Sequence, residues 1–225
     1  MPIRKVPMVP GEFYHIYNRG NSKQKIFNSD SDYARFIRLL FLANGTTYLD
    51  LRVIEESKTE PFNFAKGSPQ VAIGAYCLMP NHFHILLTPL VEDGVSKFMR
   101  KLATAHSMYF NTKYHRTGSL FEGRFKSEHV GEDRYLKYLF AYIYLNPLKL
   151  FQGNWRDVGL KDIIGARTFL DSYLYSSYLD NKAARPESAI LNQEPFPQYF
   201  SKQSDLNNEL LEWMTYHEAN THQSK

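Results

Sequence analysis

Hydrophobic residues follow two different periods along this chain, and the changes between them outline the fold. Residues 12–19 read EFYHIYNR, rich in aromatic and β-branched side chains and closed by Gly20 and Asn21, which predicts a strand. Ser29, Asp30, Ser31 and Asp32 then offer helix-capping side chains. Behind them Tyr33, Phe36, Ile37, Leu40 and Phe41 recur at helical spacing until Asn44 and Gly45. A short strand is expected over residues 49–54 and a loop over 55–68. Residues 71–78 and 82–87 are two apolar strands broken by Met79, Pro80 and Asn81, the pattern of an antiparallel hairpin. A long helical pattern follows from Gly94 to about His115, through Val95, Phe98, Met99, Leu102, Ala105, Met108 and Tyr109. Residues 119–130 read as extended chain bent at Gly123. Asp133 then caps a helix of Tyr135, Leu136, Leu139, Phe140, Tyr142 and Ile143, which Asn146 and Pro147 should stop.

This order of strand, helix, hairpin, helix, strand, helix predicts an α+β domain over residues 1–150, with an RRM-like, ferredoxin-like antiparallel sheet. Helical patterns over 160–178 and 205–217 predict a helical C-terminal extension over 151–225, packed on the core to about residue 180. A chain of 225 residues accommodates one generous domain with such an appendage.

Charge sharpens the picture. The formal net charge is +4, but the distribution is uneven. Between Gly94 and Lys126 stand Lys97, Arg100, Lys101, Lys113, Arg116, Arg124 and Lys126 against one acid, Glu122, whereas acids dominate after Gly153. A basic middle suits a polyanion, although a charge run by itself is more often a solvated face. The single cysteine, Cys77, rules out an intrachain disulfide and a cysteine-rich zinc site. The N-terminal residues lack an apolar signal core, and no run of about 18 apolar residues could span a membrane, so a cytoplasmic setting is expected.

Two constellations carry chemistry. In PNHFHI, the period of two places His82 and His84 on one face of a strand and Phe83, Ile85 and Leu87 on the other. Two imidazoles so placed can share a divalent cation. Alone, a His-x-His strand is more often a pair of satisfied or surface histidines. In AYIYLNP, Tyr142 and Asn146 are one helical turn apart, offset by roughly 40°. A carboxamide one turn from a phenol can reach the same metal or phosphate, while core packing is the plainer explanation for any single tyrosine. His15, also on a strand, reads as structural.

The HFH strand, the segment GSLFEGRFK over 118–126 and the later YIYLNP closely resemble the single-tyrosine HUH transposases, and among them the REP-associated tyrosine transposases of bacteria. The opening YHIYNRG over 14–20 and the stretch Ser176, Ser177, Tyr178 are similar too, so the resemblance runs in order from about Gly11 to Asp180. It implies an HUH endonuclease fold, with His82 and His84 as metal ligands, Asn146 as a third ligand and Tyr142 as the nucleophile. It further implies Mg2+ or Mn2+ as cofactor and single-stranded or hairpin DNA as partner. The reaction would cut through a 5′-phosphotyrosine link, leave a 3′-hydroxyl and rejoin strands, in a monomer or a homodimer. DNA contacts would then come from Asn18, Arg19, Lys97, Arg100, Lys101, Arg116, Arg124 and Lys126. Two rival readings are a catalytically silent nucleic-acid-binding module of the same fold and a metal-assisted hydrolase that uses water.

Overall fold

The computed structural model describes residues 7–47, 60–182, 184–200 and 202–215. The strand expected over 49–54 lies outside the described residues. Four strands, β1 (Phe13–Arg19), β2 (Val71–Met79), β3 (His82–Pro89) and β4 (Lys126–Val130), form one antiparallel sheet in the order β2-β3-β1-β4. Helix α1 (Asp30–Leu42) joins β1 to β2 and α2 (Gly94–Lys113) joins β3 to β4, which is the ferredoxin-like arrangement. Both helices cover one sheet face. Helix α3 (Asp133–Leu145) covers the other.

The sequence dictates which face meets which helix. On β3, Phe83, Ile85 and Leu87 enter the core beneath α1 and α2, so His84 and Leu86 must face α3. Every residue of β2 is buried because both of its faces are covered, which explains its lack of polar alternation. A register irregularity between Ile73 and Ala75 lets Ile73 and Tyr76 share the α1–α2 face. It also leaves small side chains, Ala72, Ala75 and Cys77, towards α3. These let α3 settle close to the sheet.

Asn146 and Pro147 do not end the helical path. Both keep right-handed helical backbone angles, and a short helix, Leu148–Phe151, follows directly. Proline is tolerated there because the first turn of a new helix needs no N–H from it. The chain then turns through a second short helix, Trp155–Val158, into α4 (Ile163–Ser172), shorter than the 160–178 pattern suggested. Residues after Ser172 become an edge cover for β2. The Leu78 N–H donates to the Tyr175 carbonyl at 2.9 Å, and the Ser177 N–H donates to the Tyr76 carbonyl at 3.0 Å. Packing continues past Asp180. Phe196 and, on α5 (Gln203–Thr215), Leu206, Leu210 and Met214 join the core beside α3. The Phe196 ring lies over Gly74, where an added Cβ would come within 2.8 Å of it.

Candidate active site

The face of the sheet beneath α3 collects the unusual residues. Register pairs Tyr17 with His84 and Arg19 with His82 across β1 and β3, so the β1 side chains of His15 and Tyr17 stand beside the two histidines. His82 and His84 have ring centroids 5.0 Å apart and nearly perpendicular planes. Tyr142, reaching down from α3, places its ring 5.5 Å from His84 and 5.9 Å from His15. His84 is buried, whereas His82 and Tyr142 are half-buried and keep some contact with solvent. All these groups come from one chain.

Hydrogen bonds fix the rings. Asn81 Oδ1 accepts from His82 Nδ1 at 2.7 Å, which leaves the Nε2 lone pair for another partner. His84 Nδ1 and His15 Nε2 are 2.8 Å apart. His15 Nδ1 in turn lies 3.7 Å from Glu128 Oε2. With His84 Nδ1 donating to His15 Nε2, Nε2 of His84 is again free, while His15 Nδ1 completes no hydrogen bond and faces the Glu128 carboxylate. His15 is thus a positioning partner of His84. Its role was hidden in the sequence because only the strand order brings the two together.

All three rings are shifted towards the neutral form. Burial lowers His84 well below its ordinary value, reinforced by His15, His82, Lys149 and Arg156. Burial and then the Lys149 charge take His82 down to about 4, against a smaller opposing effect of the Asn146 side chain. Burial also lowers His15, opposed by Glu128. Away from this site, His106 donates to the Ile26 carbonyl at 2.8 Å and is lowered to about 4, chiefly by burial. In the unfolded chain these histidines bind protons below about pH 6.5. Between pH 6.5 and about 4 the unfolded state therefore holds more protons at His82 and His106, and stability falls as the pH falls, by up to about 1.4 kcal/mol per pH unit for each of these two. Urea midpoints measured across this window should drop steeply. A flat profile would contradict the neutral assignment.

Asn146 is fully buried, and neither atom of its carboxamide completes a hydrogen bond, although it lies beside His82. An orphaned buried amide is costly unless something external satisfies it. Among the described residues, no three His, Cys, Asp or Glu side chains form a metal-binding group by themselves. Two neutral imidazoles with available Nε2 atoms and one unsatisfied carboxamide oxygen nevertheless fit a divalent cation that completes its shell with other oxygen ligands.

Tyr17 is the other phenol near His84, with its ring 6.0 Å away. Its hydroxyl donates to Glu128 Oε1 at 2.7 Å, and this bond, with burial adding to it, pushes it up to about 12. Tyr144 points elsewhere, into the core, where its hydroxyl accepts from Asn181.

The basic residues divide. Lys113 forms an ion pair with buried Asp32 at 2.6 Å, and Arg116 donates to Gln24 Oε1 at 2.7 Å. Both are engaged by neighbouring side chains. Asn18 is buried and donates to the Gly123 carbonyl at 3.1 Å, bracing the bend. Arg19 forms an ion pair with Glu122 on the surface. Lys101 donates to the Gly45 carbonyl at 2.5 Å and Lys97 to the Glu92 carbonyl at 3.3 Å. Arg100, Arg124 and Lys126 are exposed and line a groove of about 1050 Å³ between α2 and the start of β4, together with Met99, Thr104 and Phe125.

Residues 43–146 match the family model described as IS200-like transposase. Over this span, just under half of its length, the chain is similar to that family. The span includes His82, His84, Tyr142 and Asn146, the residues that the fold gathers under α3. One solved structure, of a REP-associated tyrosine transposase bound to a REP hairpin, shares 15% identity and a TM-score of 0.47, with 82% of this chain and 86% of that chain covered. At that level the likeness says nothing of what this chain binds. No curated protein matches the chain. No described helix is long and apolar enough to cross a membrane.

Proposed function

We propose that this chain is a metal-dependent single-stranded DNA transesterase, a transposase that cuts and rejoins strands through Tyr142. The observation that carries the reading is the approach of the half-buried Tyr142 ring to His84, 5.5 Å between ring centroids, with His82 beside His84 at 5.0 Å. His82, His84 and Asn146 would hold Mg2+ or Mn2+. When bound, such a cation withdraws charge from phosphorus through a non-bridging oxygen and stabilises the departing oxygen. The phenol oxygen forms a bond to phosphorus while the bond from phosphorus to the 3′ oxygen breaks. A base takes the phenolic proton, and the released 3′ oxygen gains one. Because the phosphotyrosine retains the ester, the 3′-hydroxyl of another strand can reverse the step and join, with no nucleotide cofactor. Tyr17 is a poor alternative nucleophile, since its hydroxyl is committed to Glu128.

The test is a labelled hairpin-bearing single strand incubated with the protein and Mn2+, then run on a denaturing gel. A covalent protein–DNA adduct is expected, reduced more than about 100-fold by chelator, in line with the several kcal/mol such a cation contributes. Cleavage without adduct would instead indicate a water-using hydrolase, and binding without cleavage a silent module.

The groove beside β4 supplies phosphate contacts in this reading. Arg124→Ala with Lys126→Ala should lower the slope of log affinity against log salt by about 1.4 for single strands, two contacts at about 0.7 each. Anisotropy titrations at several salt concentrations measure this. An unchanged slope removes these two residues from the interface.

A further inference from the structure

We propose that Arg156 and Lys149 form a phosphate-binding pair over Tyr142, built by the chain beyond the family-matched segment. The Arg156 guanidinium carbon lies 4.3 Å from the centroid of the Tyr142 ring, and the Lys149 ammonium lies 5.9 Å from it. Both come from the short helices that follow α3 and fold the chain back over its end. Buried Trp155 anchors the second of these helices, and its indole is 5.2 Å from the same guanidinium. The Gln152 amide donates to the Gly159 carbonyl at 2.6 Å, which closes the turn around them.

Three other arginines among the described residues have polar or acidic partners. Arg185 pairs with Asp180 at 2.7 Å, Arg19 with Glu122, and Arg116 with Gln24. Arg156 is half-buried, and its contacts among the described residues are two aromatic rings. No carboxylate pairs with it or with Lys149 among the described residues. Glu128, the acid of this cluster, is taken up by Tyr17 and His15. A guanidinium over a ring face has no hydrogen-bond acceptor there, and its N–H groups match two oxygens of a phosphate. The plain alternative is a cation that merely covers a tyrosine face, an interaction worth about 0.5–1 kcal/mol at exposed sites.

This inference rests on the transesterase reading for which phosphate is held, namely the one that Tyr142 attacks. The anion site itself is separable. Binding of an unstructured oligothymidylate is measured by anisotropy in the Tyr142→Phe background, where no chemistry occurs. Arg156→Gln should reduce the salt slope by about 0.7 and weaken binding severalfold at low salt. Lys149→Gln, at an exposed position that the fold does not need, should do the same. Arg156→Lys should restore the slope because the charge returns. A methylphosphonate walked along the strand should erase the effect of Arg156→Gln at one linkage only. Wild-type affinity and slope in both glutamine variants would overturn the proposal, as would weaker binding with an unaltered slope. A reduced slope with no adduct from the parent protein would keep the anion site and remove the transesterase reading.

Discussion

Tyr142→Phe is expected to eliminate the covalent DNA adduct, with a loss of at least 10^4-fold, while DNA affinity changes by less than about threefold. Removing the nucleophile of a concerted site costs on the order of 10^6 in turnover elsewhere, so the expectation is conservative. Phenylalanine keeps the ring that packs edge-on to His84 and lies beneath Arg156, and loses only the oxygen. The substitution therefore separates chemistry from architecture. Tyr17→Phe is the matched control. It removes a hydroxyl beside the same histidine, one already bonded to Glu128, and should leave most of the adduct. Quantified gels with a common substrate decide it. An adduct that survives in Tyr142→Phe would mean that another group attacks the phosphorus.

The largest expected effect on stability lies on the opposite face of the sheet. Asp32 is fully buried and accepts from Lys113 at 2.6 Å, Tyr114 at 2.7 Å, Tyr109 at 3.0 Å and the N–H groups of Asn28 at 2.8 Å and Ser29 at 3.1 Å. Burial raises this carboxyl, but the Lys113 bond and the others outweigh it and hold it at about 2. One side chain thus both closes the start of α1 and ties α1 to the end of α2. Asp32→Ala should cost about 3–5 kcal/mol, the usual penalty for breaking a buried ion pair from one side. Part of the Lys113 side chain remains in contact with solvent, which favours the lower end. The stabilisation is complete above the unfolded value near 4 and is lost as the pH falls towards 2. Urea unfolding of parent and variant at neutral and acid pH checks both statements. The two curves should converge in acid. A neutral-pH difference below about 1 kcal/mol would show that the network is ornamental.

Local periodicity carried much of the fold. The change from alternation at 82–87 to helical spacing after Gly94 placed β3 and α2, and the alternation itself put His82 and His84 on a face apart from Phe83. Non-local pairing was out of reach. His15 resembles any core strand histidine until β1 is set between β3 and β4, which brings it against His84. The basic run from Lys97 to Lys126 looked continuous along the chain, yet the buried carboxylate of Asp32 pairs with Lys113 and Gln24 engages Arg116. An amide at a strand end likewise gave no sign of the bond from Asn18 to the Gly123 carbonyl. Arg156 carried no local signal at all. It matters through the turn after Pro147, where the expectation was a stop.

The cover over β2 has an effect on assembly. Residues 175–177 occupy the backbone groups along that margin, so the sheet has one uncovered margin, β4, among the described residues. A molecule with two such margins could add neighbours without limit, as fibres do. With one, backbone pairing between copies closes after a single symmetric contact. For the described residues, growth by strand addition thus ends at two chains.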